Sequence, residues 1–89
     1  MLEVNSRDLK KKGKVLRNQG IITGTLKRKS GNILNIQMLG NNLDTLISRS
    51  GLNIVLQINF GGEIISTKID RVQRDVLFHN IINVDLLEA

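Results

Sequence analysis

Residues 52–62 read Leu52-Asn53-Ile54-Val55-Leu56-Gln57-Ile58-Asn59-Phe60-Gly61-Gly62. Leu52, Ile54, Leu56, Ile58 and Phe60 fall on every second position, with Asn53, Val55, Gln57 and Asn59 between them. Successive strand side chains point to opposite faces, so the spacing predicts a half-buried strand over 52–60. Gly61-Gly62 can take the positive φ values of a two-residue hairpin turn. Residues Glu63 to Val72 should therefore return antiparallel, with Ile65, Thr67 and Ile69 facing inward.

Working outward from that hairpin, Phe78 to Leu87 reads as a last strand. Leu43, Leu46 and Ile47 share a helical face that Asn42 can cap and Gly51 can end. Ile33 to Met38 forms a strand, preceded by a Ser30-Gly31-Asn32 turn and a strand from Ile21 to Lys27-Arg28-Lys29. Leu2 and Val4 alternate weakly over residues 2–6. Between them, Asp8 to Asn18 reads as a basic helix or loop, with Asn5 placed to cap it, Gly20 to end it, and Leu9, Val15 and Leu16 as its apolar contacts. Five or six strands, two short helices and no βαβ rhythm predict a mostly β fold, a mainly antiparallel sheet that curls on itself into a small closed barrel.

The chain has 89 residues, enough for one domain spanning 1–89, and 40% of them are apolar against 24% charged. That composition suits a folded core rather than a disordered tail. Cys is absent, which removes disulfides, thiolate metal sites and cysteine nucleophiles and suits a reducing, cytoplasmic location. No stretch at the N-terminus has the apolar run of a secretory signal, and none is long enough to span a bilayer.

Little in the sequence points to catalysis. His79 is the single histidine, and no motif sets a serine or carboxylate beside it. The carboxylates Glu3, Asp8, Asp44, Glu63, Asp70, Asp75, Asp85 and Glu88 lack the spacing of a calcium loop or metal cluster. The glycines form neither a GxGxxG nor a P-loop pattern. The expectation is a noncatalytic protein with no metal, no cofactor and no small-molecule substrate.

Charge is the informative feature. The net charge is +5, yet residues 1–29 hold nine Lys or Arg against two acids, while residues 30–89 are net negative by two. A lysine run alone is commonly a solvated face. Here the series Arg7, Lys10, Lys11, Lys12, Lys14 and Arg17 is joined by Lys27, Arg28 and Lys29, and two such clusters able to converge across one small barrel favour a polyanion partner. Aromatics constrain the kind: only Phe60 and Phe78 exist, and Phe60 falls in the inward register, so a platform for unstacked single strands is not supported. Structured RNA, contacted through phosphates, ribose hydroxyls and minor-groove base edges by Lys, Arg, Asn, Gln and Asp, suits this composition.

Several short motifs sharpen this. Asp70-Arg71-Val72-Gln73-Arg74-Asp75, followed after a short gap by Asn80-Ile81-Ile82-Asn83-Val84-Asp85-Leu86-Leu87, resembles the ending of the bacterial ribosomal protein L-twenty-five (Ctc, general stress protein) family, where VQR precedes an HVDF-like strand. Leu16-Arg17-Asn18-Gln19-Gly20-Ile21-Ile22 is similar to that family's LR-x-x-G-x-(I/V) stretch, and the helix before Gly51 and the Gly61-Gly62 hairpin fall at matching places. The resemblance covers nearly the whole chain. It implies a six-stranded barrel acting as a noncatalytic structural constituent of the large ribosomal subunit that binds 5S rRNA through its minor groove and phosphates; the free protein is expected to be monomeric.

Carried onto this chain, the resemblance assigns phosphate contacts to Lys10, Lys14 and Arg17, with Lys11 and Lys12 adding charge. Lys27, Arg28 and Arg74 join the predicted RNA-binding set. Asn83 stands where the family has a His and Asp85 matches its Asp; period two puts both on one strand face, opposite Ile82, Val84 and Leu86. Asp85 could instead serve an ion pair with Arg74 or Lys68. Thr23-Gly24 replace the family's Pro-Ala, Lys27-Arg28 its Tyr-Gly, and Asp75-Val76 its His-Pro. Those departures leave two rival readings: an RNA-binding regulator or stress-associated factor acting off the ribosome, and a basic barrel that meets acidic proteins.

Overall fold

The computed structural model of the protein describes residues 2–7, 10 and 12–89. In chain order the elements are β1 (Leu2–Ser6), α1 (Gly13–Asn18), β2 (Ile21–Lys27), β3 (Ile33–Leu39), α2 (Gly40–Ser50), β4 (Val55–Phe60), β5 (Glu63–Arg74) and β6 (Ile81–Glu88). The six strands close into a barrel in the order β1-β3-β2-β6-β5-β4. Four neighbouring pairs are antiparallel, whereas β1 with β4 and β2 with β6 run parallel, so the closed barrel is mixed, though mainly antiparallel.

Period two decides what lies inside. Leu2 and Val4 from β1, Ile22 and Leu26 from β2, Ile36 and Met38 from β3, Leu56 and Ile58 from β4, Ile65 from β5, and Val84 and Leu86 from β6 are buried in one cluster. Thr67 also points in and is wholly buried; its hydroxyl donates to the Leu56 carbonyl at 3.0 Å, which satisfies a polar group inside an apolar core. Gly24 belongs to the same inward register, and a Cβ there would meet the Val84 carbonyl, so β2 and β6 approach along bare backbone.

α2 follows β3 directly and plugs one end of the barrel with Leu43 and Ile47, while Leu46 packs alongside. The helix starts earlier than the Asn42 cap predicts. Leu39 occupies the cap position with no side-chain hydrogen bond, the Gly40 N–H donates to the Gly20 carbonyl at 2.9 Å, and Asn42 lies exposed within the first turn. Gly51 ends the helix at φ 79°, its N–H donating to the Ile47 carbonyl at 2.8 Å.

The decisive hairpin is present, with Phe60 opposite Glu63 and both glycines at positive φ. Its first strand is shorter than the alternation suggests. Leu52 is 51% exposed and lies in the connection from α2, because the chain must turn there before Val55 can pair with Lys68. The last strand likewise begins at Ile81 rather than Phe78, and Ile81 is buried in place of Ile82, because a register shift pairs Arg74 with Ile81 and skips Ile82.

At the end away from α2, Arg28 ties three elements together. Its Nε donates to Glu88 at 2.8 Å and its Nη2 to Glu63 at 2.9 Å, and Glu88 also accepts the Lys29 N–H at 3.0 Å. These donors hold the Glu88 carboxyl below its ordinary value of 4.5.

Two outcomes follow. Leu43→Ala opens a cavity under the helical plug and should lower unfolding free energy by about 2–5 kcal/mol in urea denaturation. The Glu88 contribution is complete above the ordinary carboxyl value and disappears as pH falls through the lowered folded value, while Arg28 stays charged throughout. The melting-temperature gap between wild type and Glu88→Gln should therefore be full at neutral pH and close in acid; a gap independent of pH would contradict the ion-pair account.

Candidate nucleic-acid interface

The barrel wall formed by β2, β6 and β5 carries an ordered polar outer face. Register places Thr23, Asn83 and Gln73 side by side across the three strands, then Thr25, Asp85 and Arg71, then Lys27, Leu87 and Lys68. The first row continues through Gln37 on β3 to Asn5 on β1, and the second reaches Asn35.

Asn83 and Asp85 do share the outer face, opposite buried Val84 and Leu86. Thr23 Oγ1 donates to Asn83 Oδ1 at 3.3 Å, Asn83 Nδ2 to Asp85 Oδ1 at 3.4 Å, and Thr25 Oγ1 to the same Asp85 oxygen at 2.8 Å. Arg71 Nε reaches Asp85 Oδ2 at 3.3 Å. The ion-pair partner of Asp85 is therefore Arg71, not Arg74 or Lys68. A carboxylate offers about four lone-pair sites. Three donors leave room on Oδ2 for one more, and Asn83 keeps one amide N–H.

Arg71 stands opposite Asp85 because β5 bulges. Ile69 pairs with Leu86 and Arg71 with Asp85, so Asp70 is passed over. Unbroken pairing would set Asp70 against Asp85, two like charges directly opposed, which is destabilising. Arg71, Thr23, Thr25 and Gln73 are the wall residues that sequence reading missed. Asn35 and Gln37 alternate visibly in their strand, but which strands lie beside it does not show in one chain.

The basic residues border this wall on different edges. The chain leaves β1 with the Arg7 N–H bonded to the Asn35 carbonyl at 3.0 Å and returns at Ile21, and α1 packs against β2. Leu16 is buried but is no part of the interior cluster, and outward-facing Thr23 is only 6% exposed, which fits α1 lying over the outside of β2. Lys10, Lys12 and Lys14 are exposed there, as is Val15, expected as a contact. Lys11 lies outside the described residues, as does the side chain of Arg17, whose backbone belongs to α1. Lys27 is exposed at the far end of β2, roughly 20 Å along a strand of seven residues.

Two of the other predicted cations have protein partners. Arg28 is held by Glu63 and Glu88, and Arg74 donates to the His79 carbonyl at 2.8 Å and lies 3.6 Å from Asp44. No helix among the described residues is long and apolar enough to cross a membrane.

The chain matches the Ribosomal L25p family over residues 2–86. It belongs to that family. Membership implies a structural, rRNA-binding constituent of the large ribosomal subunit, working at the ribosome rather than as an enzyme. A comparison with curated proteins returns no match.

The contrast between neighbours Lys27 and Arg28 is measurable. Arg28→Ala should lower the melting temperature at neutral pH, because it strands two carboxylates. Lys27→Ala, at an exposed side chain, should leave it unchanged; equal melting of both variants would contradict this division.

Proposed function

We propose that this L25p family member binds 5S rRNA, with the β2-β6-β5 wall laid along an RNA minor groove and Lys10, Lys12 and Lys14, just before and within α1, on the flanking phosphates. The observation that carries the reading is the wall itself. Its amide, hydroxyl, carboxylate and guanidinium groups sit in register on a rigid sheet bordered by Lys10, Lys12, Lys14 and Lys27. A shallow minor groove offers guanine amino groups and ribose hydroxyls, and the free acceptor site of Asp85 and the remaining Asn83 N–H are complementary to them. Lys11 and Arg17 join the phosphate set by their place in the basic segment, and Arg74 joins at the end of β5. Arg28 acts through position, holding the Lys27 turn against β5 and β6. The protein works as a monomer when free and is cytoplasmic with the ribosome.

Phosphate contacts act on any RNA, whereas base-edge contacts discriminate. In titrations of bacterial 5S rRNA against an equally long unrelated structured RNA, Lys14→Ala should weaken both alike and reduce the log–log salt slope by about 0.7–0.9. Asn83→Ala should leave the slope intact and lower the preference for 5S rRNA roughly fivefold, the loss of about one net hydrogen bond. No preference in the wild type would sink the 5S assignment. Tight RNA binding without cosedimentation with large subunits would favour the off-ribosome reading.

A further inference from the structure

The loop between β5 and β6 exposes three consecutive apolar side chains: Val76 is 88% exposed, Leu77 79% and Phe78 80%. Nothing in barrel packing requires them there, since the interior cluster closes without them. The loop is nonetheless tightly held. Asp75 Oδ1 accepts the N–H groups of Leu77 and Phe78 at 2.8 and 2.9 Å, Asp75 N–H donates to the Asn80 carbonyl at 2.9 Å, and His79 N–H returns to the Asp75 carbonyl at 3.0 Å. Arg74 adds a bond to the His79 carbonyl, and His79 sits at φ 60°. A tip ordered before contact loses little entropy on binding.

Its place suggests the occupant. Gln73 and Asn83 form the last outer pair of the wall before the loop begins, and Asn80 and Ile81 line a cleft shared with Gly20 and Ile21, just after α1. The loop that carries the tip therefore begins where the wall ends, at the same end of the barrel as α1. The one carboxylate in the loop is already occupied by backbone N–H groups, so it opposes a polyanion less than a free one would. Size matters too. A stable protein interface buries about 800 Å² per partner, whereas the tip offers three side chains, one of them a ring, an area closer to that of a single base.

We propose that the Val76–Phe78 tip is a stacking contact for one unpaired nucleobase of the structured RNA on the wall, with the Phe78 ring as the platform. The proposal rests on the RNA reading above. It adds a binding term independent of phosphate charge: one ring holds one base, without tracking a strand.

The sequence contains neither Trp nor Tyr, so Phe78→Trp introduces a sole indole emitter. Transcribed bacterial 5S rRNA is titrated into the full chain, following indole emission and, separately, retention of labelled RNA. The expected result is quenching of Phe78→Trp emission at saturation, with retained affinity. Phe78→Ala should bind roughly 5- to 150-fold more weakly at an unchanged salt slope and unchanged melting temperature. Unaltered emission at saturation together with wild-type affinity for Phe78→Ala would overturn the proposal while leaving the wall reading standing. Failure of the wild type to retain the RNA would overturn both.

Discussion

Barrel closure is the constraint on which everything else depends. A six-stranded sheet of this length has two edges unless its ends meet, and β1 closes it by pairing antiparallel with β3 and parallel with β4. α2 carries the chain across the barrel end from β3 to β4, which leaves the place between them for β1. Once closed, every strand has one inner face, so its polar alternates must stand outward. The ordered wall of Asn, Thr, Asp, Gln and Arg is thus a consequence of filling the interior with Leu, Ile, Val and Met at period two.

Closure alone would have produced an electrostatic fault at the centre of that wall. Strict pairing of β5 and β6 sets two aspartates face to face, and the bulge at Asp70 replaces that repulsion with the Arg71–Asp85 pair. Arg71 remains largely exposed, so in water the pair contributes little stability. Its effect is positional: Asp85 is held by Thr25, Asn83 and Arg71 at once, which fixes a carboxylate at the surface before any ligand arrives. The Arg28 clip is similarly placed, joining the ends of β6 and β5 to the β2–β3 turn.

Much of this was legible in one sequence, for identifiable reasons. The Leu56–Phe60 alternation and paired glycines specify a hairpin locally, the Leu43–Ile47 face specifies a helix locally, and the Asp70–Asp75 and Asn80–Leu87 motifs pointed to the family that the match over residues 2–86 establishes. Information that depends on neighbours was not legible. Whether β6 lies beside β2, and therefore whether Thr25 reaches Asp85, is a long-range fact that local period cannot encode. The bulge was invisible because Asp70 and Arg71 are adjacent, and only the register with Asp85 decides which faces it. Leu52 and Phe78 extended the apolar patterns at strand ends where the chain must instead turn.

The same distinction explains how charge divides between stability and recognition. Nine cations in the first third of the chain suggest one undifferentiated basic patch. In the fold, Arg28 is committed to two carboxylates, while Lys12, Lys14 and Lys27 stay exposed along edges of the wall. Exposed lysines attract any polyanion and lose that attraction as salt rises, but hydrogen-bonding groups fixed in register respond to which edges face them. A protein with only the first would bind RNA without choosing, and one with only the second would choose slowly and weakly. On the proposed reading, selectivity falls to the accessible groups of the Asn83-Gln73 and Thr25-Asp85-Arg71 rows, whose spacing the barrel itself holds constant, while Thr23, only 6% exposed, acts by holding Asn83.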